Sequence, residues 1–186
     1  MLTGMGYAVE LYLDAEAQAK VHNLRAQLRA EGIEDLLDAM DETPHISLAV
    51  IPDVEDENIL NAVAEFAAEQ PPIAVTLEAI GSFVGPQNVL FAVPIPSVAL
   101  LNAHSSLHGQ LQAYCDYLPY YLPGRWVPHC SLAMNLPAEQ MGAAFTLLRE
   151  IFTPISSELG HIGVIQFRPV VDLVRWPLTG INNLPT

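Results

Sequence analysis

Basic side chains are scarce in this chain: seven Lys and Arg stand against 21 Asp and Glu, a formal net charge of −14 over 186 residues. A long nucleic acid is held mainly through phosphate contacts with Lys and Arg. The composition therefore excludes an extended nucleic-acid-binding face and leaves a small or terminal phosphate, met by a few placed donors. Charged residues total 15% and hydrophobic residues 51%, which excludes a disordered chain and supplies a core for one domain or two small fused lobes. No apolar run approaches the roughly 18 residues of a membrane span. The opening stretch MLTGMGYAVELYLDAE has no basic n-region and does not read as a secretory signal. Two cysteines, Cys115 and Cys130, are too few for a disulfide framework and read as buried free thiols. The expectation is a cytoplasmic protein with no membrane partner.

Other absences narrow the chemistry. There is no glycine-rich phosphate loop of the Walker or Rossmann kind, so nothing supports ATP-dependent chemistry. His104 and His108 lie four apart on an expected helix, but no Glu follows His104 and no third ligand is evident. They read as a pair on the helix surface. His22 and His161 belong to no constellation. The acidic stretch Glu31–Glu42 lacks EF-hand spacing and reads as a solvated loop. Neither a metal nor a cofactor is expected.

Periodicity and punctuation give the element order. Val9, Leu11 and Leu13 alternate with polar or small neighbours, which predicts a strand over Tyr7–Leu13. Asp14 is a suitable N-cap for a helix to about Glu31, ended by Gly32. His45–Ile51 is β-type, and Asp53 can cap a second helix to about Glu69. Ile73–Val84 and Val89–Ile95 read as strands around Gly85-Pro86-Gln87-Asn88. Ser97 caps a third helix to about Tyr114. After the loop Tyr117–Gly124 come a strand over Arg125–Met134 and a fourth helix from Pro137 to about Ile151. Two strands, separated near Arg168-Pro169, close the chain between Gly160 and Leu178. Strand, helix, His-bearing strand, helix and strand thus occur twice. This order predicts an α+β fold: two lobes of antiparallel sheet with helices outside, related by a pseudo-twofold axis, their motif strands facing a central cleft. The whole chain, 1–186, reads as one bilobal domain, with lobes of about 1–85 and 86–186 and room for strand exchange between them.

The repeat is visible in the residues themselves. Pro44-His45-Ile46-Ser47-Leu48-Ala49 and Pro128-His129-Cys130-Ser131-Leu132-Ala133 are identical at five of six positions. Residues two apart on a strand share a face. His45 and Ser47 therefore face one way, with Ile46, Leu48 and Val50 on the other. His129 and Ser131 do the same against Cys130, Leu132 and Met134. An imidazole can give or take a proton near neutral pH. Two of them flanking a phosphate can act as base and acid in one displacement. The serine hydroxyls can donate to its non-bridging oxygens. Regular alternation would also bring Arg125 onto the face of His129, where its guanidinium could hold phosphate. Glu10 and Tyr12 lie on the polar face of the first strand, and Tyr120 and Tyr121 in the loop before the second motif. These four are candidate substrate-lining residues, with solvated edge positions the competing reading for the first two and stacking on a base a use for the tyrosines. Trp126 falls on the opposite face and reads as core.

At these residues the sequence resembles the two-histidine (2H) phosphoesterase superfamily, which has a duplicated His-x-Thr/Ser-x motif, one per lobe. Tyr7–Leu13, Pro44–Leu48 and Pro123–Ala133 further resemble bacterial proteins of the 2'-5' RNA ligase family. The resemblance implies that His45 and His129 are the acid–base pair and that Ser47 and Ser131 hold the phosphate. Where many ligase-like members carry Arg soon after the second motif, Met134 and Asn135 follow here, which weakens the ligase reading. The leading expectation is a metal-independent phosphodiesterase acting on a small 2',3'-cyclic or 2'-5'-linked nucleotide. The alternatives are a 2'-5' RNA ligase acting on RNA ends, and a non-catalytic module that binds a nucleotide phosphate.

Overall fold

The computed structural model describes residues 6–33, 37, 42–52, 58–83, 85, 87–114, 116, 118–167 and 170–180. Its strands are β1 (Gly6–Tyr12), β2 (His45–Pro52), β3 (Ile73–Ser82), β4 (Leu90–Pro94), β5 (Cys130–Ala133), β6 (Ile155–Leu159), β7 (His161–Phe167) and β8 (Val171–Pro177). The helices are α1 (Ala15–Ala30), α2 (Asn58–Glu69), α3 (Val98–Leu111) and α4 (Met141–Ile151), with a 3-10 turn at Pro119–Tyr121. Two four-stranded antiparallel sheets result, in the orders β2-β1-β7-β8 and β5-β4-β3-β6. This is the duplicated α+β architecture that the element order predicts. No helix among the described residues is long and apolar enough to cross a membrane.

Local chemistry sets the element ends. Asp14 caps α1 by accepting from the Ala17 amide at 2.9 Å, and Gly32 takes a positive φ of 75° just beyond the helix. The same Asp14 carboxylate accepts from the Glu158 amide at 2.9 Å, while the Asp14 amide donates to Ser157 Oγ. The start of α1 is thereby tied to β6, and these bonds hold the Asp14 carboxyl below its ordinary range although burial opposes them. Ser97 caps α3 by accepting from Leu100 N. Asp53, the expected cap of α2, lies outside the described residues, as does Cys115.

The strands are dealt across the two halves. β3 lies within the first 85 residues yet pairs with β4 and β6, while β7 returns from the C-terminal side to pair with β1. Sequence pattern does not predict β6. Its run Ile-Ser-Ser-Glu-Leu is short and carries only two apolar residues, but Ile155, Ser157 and Leu159 are all buried. A continuous core joins the sheets to the helices, with Leu11, Ile46, Leu48, Leu77, Leu90, Leu107 and Leu132 fully buried.

Register reveals the duplication most sharply. On one side, Val9 opposes Ala49 and Glu10 opposes Ser47, with a bulge between them. On the other, Leu90 opposes Ala133 and Phe91 opposes Ser131, with a bulge at the same place. The extra residue is the leucine of each motif, Leu48 and Leu132. A bulge adds one residue to one strand and resets its alternation. The expected apolar face 46, 48, 50 is corrected accordingly: beyond Leu48, Ala49 and Ile51 are fully buried and Val50 only half-buried. Met134 is likewise half-buried, with Ala133 enclosed.

Candidate active site

β2 and β5 are the edge strands of their sheets and approach each other. Cys130 Sγ is hydrogen-bonded to the backbone of His45, so the two motifs touch directly. Burial pushes the Cys130 thiol up to about 11, which makes it an inert packing group.

Each histidine is fixed in the same way. His45 Nδ1 lies 2.8 Å from the Thr43 carbonyl, and His129 Nδ1 lies 2.8 Å from the Val127 carbonyl. A carbonyl can only accept, so Nδ1 carries the proton in both rings, and Nε2 is left for chemistry. Beyond that the surroundings diverge. His45 Nε2 is 3.3 Å from Glu10 Oε1 and 4.0 Å from Glu42 Oε1. His129 instead packs edge-on to Phe83, ring centroids 4.8 Å apart, and tilted against Phe91 at 5.3 Å.

The electrostatics follow from those neighbours. Burial would push His45 down, but the Glu10 and Glu42 carboxylates outweigh it and the net shift is upward. For His129 burial prevails over the Val127 carbonyl, the charge of a protonated His45 adds to it, and the shift is downward. Burial raises the Glu10 carboxyl to about 7, against the opposing pull of His45. Glu10, Glu42 and His45 are also the one group of donors among the described residues close enough to hold a metal, all within 4.8 Å. At 3.3 Å, Glu10 and His45 Nε2 are close enough to pair directly when the ring is protonated.

The other sequence-derived candidates divide. Glu10 and Tyr12 are not at an edge: β1 is an interior strand and both side chains are buried, 2% and 3% exposed. They are hydrogen-bonded to each other, and the Arg175 guanidinium lies 3.7 Å above the Tyr12 ring. Gly163 on β7 makes the room, since a Cβ there would stand 2.8 Å from the Tyr12 ring. The Tyr121 hydroxyl is hydrogen-bonded to that of Ser47, and burial raises it to about 12. Tyr120 is 63% exposed beside it. The strand expected over Arg125–Met134 is corrected: β5 begins only at Cys130, because Pro128 offers no amide to a sheet. Arg125 sits exposed on a turn closed by its own amide to the Leu122 carbonyl, helped by Gly124 at φ 82°. Alternation along a strand therefore does not carry it to His129.

Two supports escape sequence reasoning. Arg25 of α1 is buried at 4% exposure and donates to the Glu42 carbonyl at 2.8 Å and the Ser131 carbonyl at 2.9 Å. One guanidinium thus ties the segment just before the first motif to the second motif. On the equivalent helix α3, His104 and His108 are not a surface pair but buried, at 2% and 4% exposure. His108 Nε2 bonds the Leu48 carbonyl at 3.0 Å and His104 Nε2 the Tyr121 carbonyl at 2.8 Å. Trp126 stacks on His104 at 4.0 Å and donates to the Ser47 carbonyl. Each helix therefore reaches across to the motif strand of the other half. Only the i,i+4 spacing of the two histidines hints at it.

Two matched motifs, carried on the meeting edges of two pseudo-symmetric sheets, define a two-histidine phosphoesterase architecture. The sequence profile described as the 2'-5' RNA ligase superfamily matches residues 13–169, and the chain belongs to that superfamily. Among solved structures it is similar to Escherichia coli LigT in apo form, with a TM-score of 0.65 at 18% identity, covering 94% of this chain and 98% of that one. TT0787 of Thermus thermophilus gives 0.62 at 15% identity, with 93% and 97% covered. Kluyveromyces marxianus Usb1 gives 0.53 at 13%, with 94% and 98% covered. LigT has also been crystallised with 3'-AMP, NADP+, ATP and phosphate. No curated protein matches by sequence.

Proposed function

We propose that this chain is a metal-independent phosphodiesterase in which His45 and His129 are the general acid–base pair, acting on a small 2',3'-cyclic or 2'-5'-linked nucleotide. The observation that carries the reading is the matched locking of both imidazoles by a carbonyl two residues upstream, which leaves two Nε2 atoms for proton transfer. Ser47 and Ser131 hold the phosphate, their positions equivalent across the bulges. Tyr121 orients the Ser47 hydroxyl, and exposed Tyr120 is placed to stack on a base. Glu10 and Tyr12 act from beneath the site, too enclosed to touch a base. Arg125 has no fixed place in this scheme. The nucleotides and phosphate crystallised with LigT support a substrate of this size, and the net charge of −14 disfavours a long RNA.

The test is hydrolysis of a panel of 2',3'-cyclic and 2'-5'-linked nucleotides in the presence of a chelator. His45→Ala and His129→Ala should each lose about 100-fold or more in turnover, the ordinary contribution of a general acid or base. A wild-type protein inert to the whole panel would refute the proposal. RNA end-joining with salt-dependent RNA binding would favour the ligase, and binding undiminished in both variants would favour the non-catalytic module.

A further inference from the structure

The two motifs are nearly identical, yet the residues beneath them are not. Glu10 pairs with Ser47 on one side and Gly163 on the other. Phe91 pairs with Ser131 on one side and Gly81 on the other. Both follow the same bulge, so Glu10 and Phe91 occupy the equivalent position of the two halves. A glycine stands opposite both: a Cβ at Gly81 would stand 2.6 Å from the Phe91 ring, and one at Gly163 would stand 2.8 Å from Tyr12, the hydrogen-bond partner of Glu10. The duplication thus places a buried carboxylate at one histidine and a buried phenyl ring at the other.

We infer that Glu10 breaks the symmetry of the histidine pair, keeping the proton on His45 and leaving His129, over Phe91, neutral, so that His45 is the proton donor and His129 the proton acceptor. This rests on the phosphodiesterase reading above and assigns direction within it. Glu10 is a positioning residue, since it reaches the reaction only through His45 Nε2 at 3.3 Å. The other charged or titratable groups around the pair are Tyr12 on β1, Glu42 before β2, Arg25 on α1, Tyr121, and Asp172 and Arg175 on β8. Of these, Glu42 reinforces Glu10 at His45, and Arg25 opposes it. No carboxylate acts on His129 among the described residues, where burial and the charge of His45 both favour the neutral ring.

The resulting step balances. A water oxygen bonds to phosphorus as one of its protons passes to His129 Nε2. The bond from phosphorus to the leaving oxygen breaks as His45 Nε2 gives that oxygen its proton. Transfer of the proton from His129 to His45 through solvent restores the starting state.

Two measurements test the assignment. Imidazole NMR titration of the whole protein reads each ring without requiring turnover. His45 should titrate above His129, and Glu10→Gln should lower the His45 midpoint by about one unit or more, as loss of an adjacent opposite charge does. Glu10→Asp should restore part of that shift. The basic limb of the kcat profile should move with His45 while KM holds within about twofold, a split that simple unfolding would not give. The second measurement compares a cyclic nucleotide with a p-nitrophenyl phosphodiester, whose leaving group needs no acid. His45→Ala should lose about 100-fold on the former and less than about tenfold on the latter, whereas His129→Ala should lose about 100-fold on both. His129 titrating above His45, an unmoved His45 in Glu10→Gln, or a p-nitrophenyl activity spared by His129→Ala and lost in His45→Ala would each overturn the inference. A protein inert to every substrate but titrating in the stated order would remove the enzymatic reading and keep the polarised pair.

Discussion

Arg25→Met is the sharpest probe of how the site is held together. Methionine keeps the length and apolar stem of arginine and removes the guanidinium. Arg25 makes two bonds, at 2.8 Å to the Glu42 carbonyl and 2.9 Å to the Ser131 carbonyl, at 4% exposure. Each charge-assisted bond contributes about 1.5–3 kcal/mol, so the pair contributes about 3–6 kcal/mol. Relief of burying the charge offsets part of this, but both carbonyls remain and lose a donor, which places the expected loss near the lower end, about 3 kcal/mol. For a chain of this length, each kcal/mol moves Tm by about 2–4 °C, so the fall should be about 6–12 °C. Differential scanning calorimetry and urea unfolding measure it. Because Ser131 is released as well as Glu42, turnover at a temperature where the variant is fully folded should fall by about tenfold or more, the expected effect of a small misplacement at a reacting centre. A variant within about 0.5 kcal/mol of wild type would show that the carbonyls are satisfied without Arg25 and that the guanidinium does not tie the approach to the first motif to the second.

Two further outcomes follow from the packing. Gly163→Ala puts a methyl group 2.8 Å from the Tyr12 ring and 3.0 Å from the Val174 carbonyl, so it should destabilise by about 1–3 kcal/mol and lower activity by displacing Tyr12 and its partner Glu10; urea melts and kcat together check this. His104, lowered to about 4 by burial and by His108, and His108, lowered by burial, are neutral in the fold and protonate more readily when unfolded. Their contribution to stability is complete above about pH 6.5 and is lost as pH falls toward 4. His104→Gln should flatten that part of the stability profile relative to wild type, and unchanged steepness would refute the assignment.

Much of the fold is legible in the sequence because most of its elements announce themselves locally. Asp14, Gly32 and Ser97 mark helix ends through chemistry that acts within a few residues. The two hexapeptides single out His45, Ser47, His129 and Ser131 because strand alternation is also local. What escapes depends on distant partners. Nothing near Arg25 in sequence indicates that it reaches Ser131, 106 residues away. The burial of His104 and His108 depends on Trp126 and the Leu48 carbonyl, brought in by the sheets. The strand expected from Arg125 starts late for a local reason: Pro128 denies the ladder an amide, and the strand starts after it. The bulges at Leu48 and Leu132 leave no mark in an alternating apolar run, although they decide that Glu10, rather than a neighbour, lies against Ser47.

The exchange of strands between the sheets bears on how this protein comes apart. A cut in the loop after β3 leaves β1 and β2 without β7 and β8, and leaves β4 and β6 without the strand that joins them. Neither fragment keeps a complete sheet. Although the sequence repeats itself, its two copies are not two independently foldable units. The edges that carry His45 and His129 should therefore melt in one transition, and a partly unfolded molecule retaining half of the site should not accumulate.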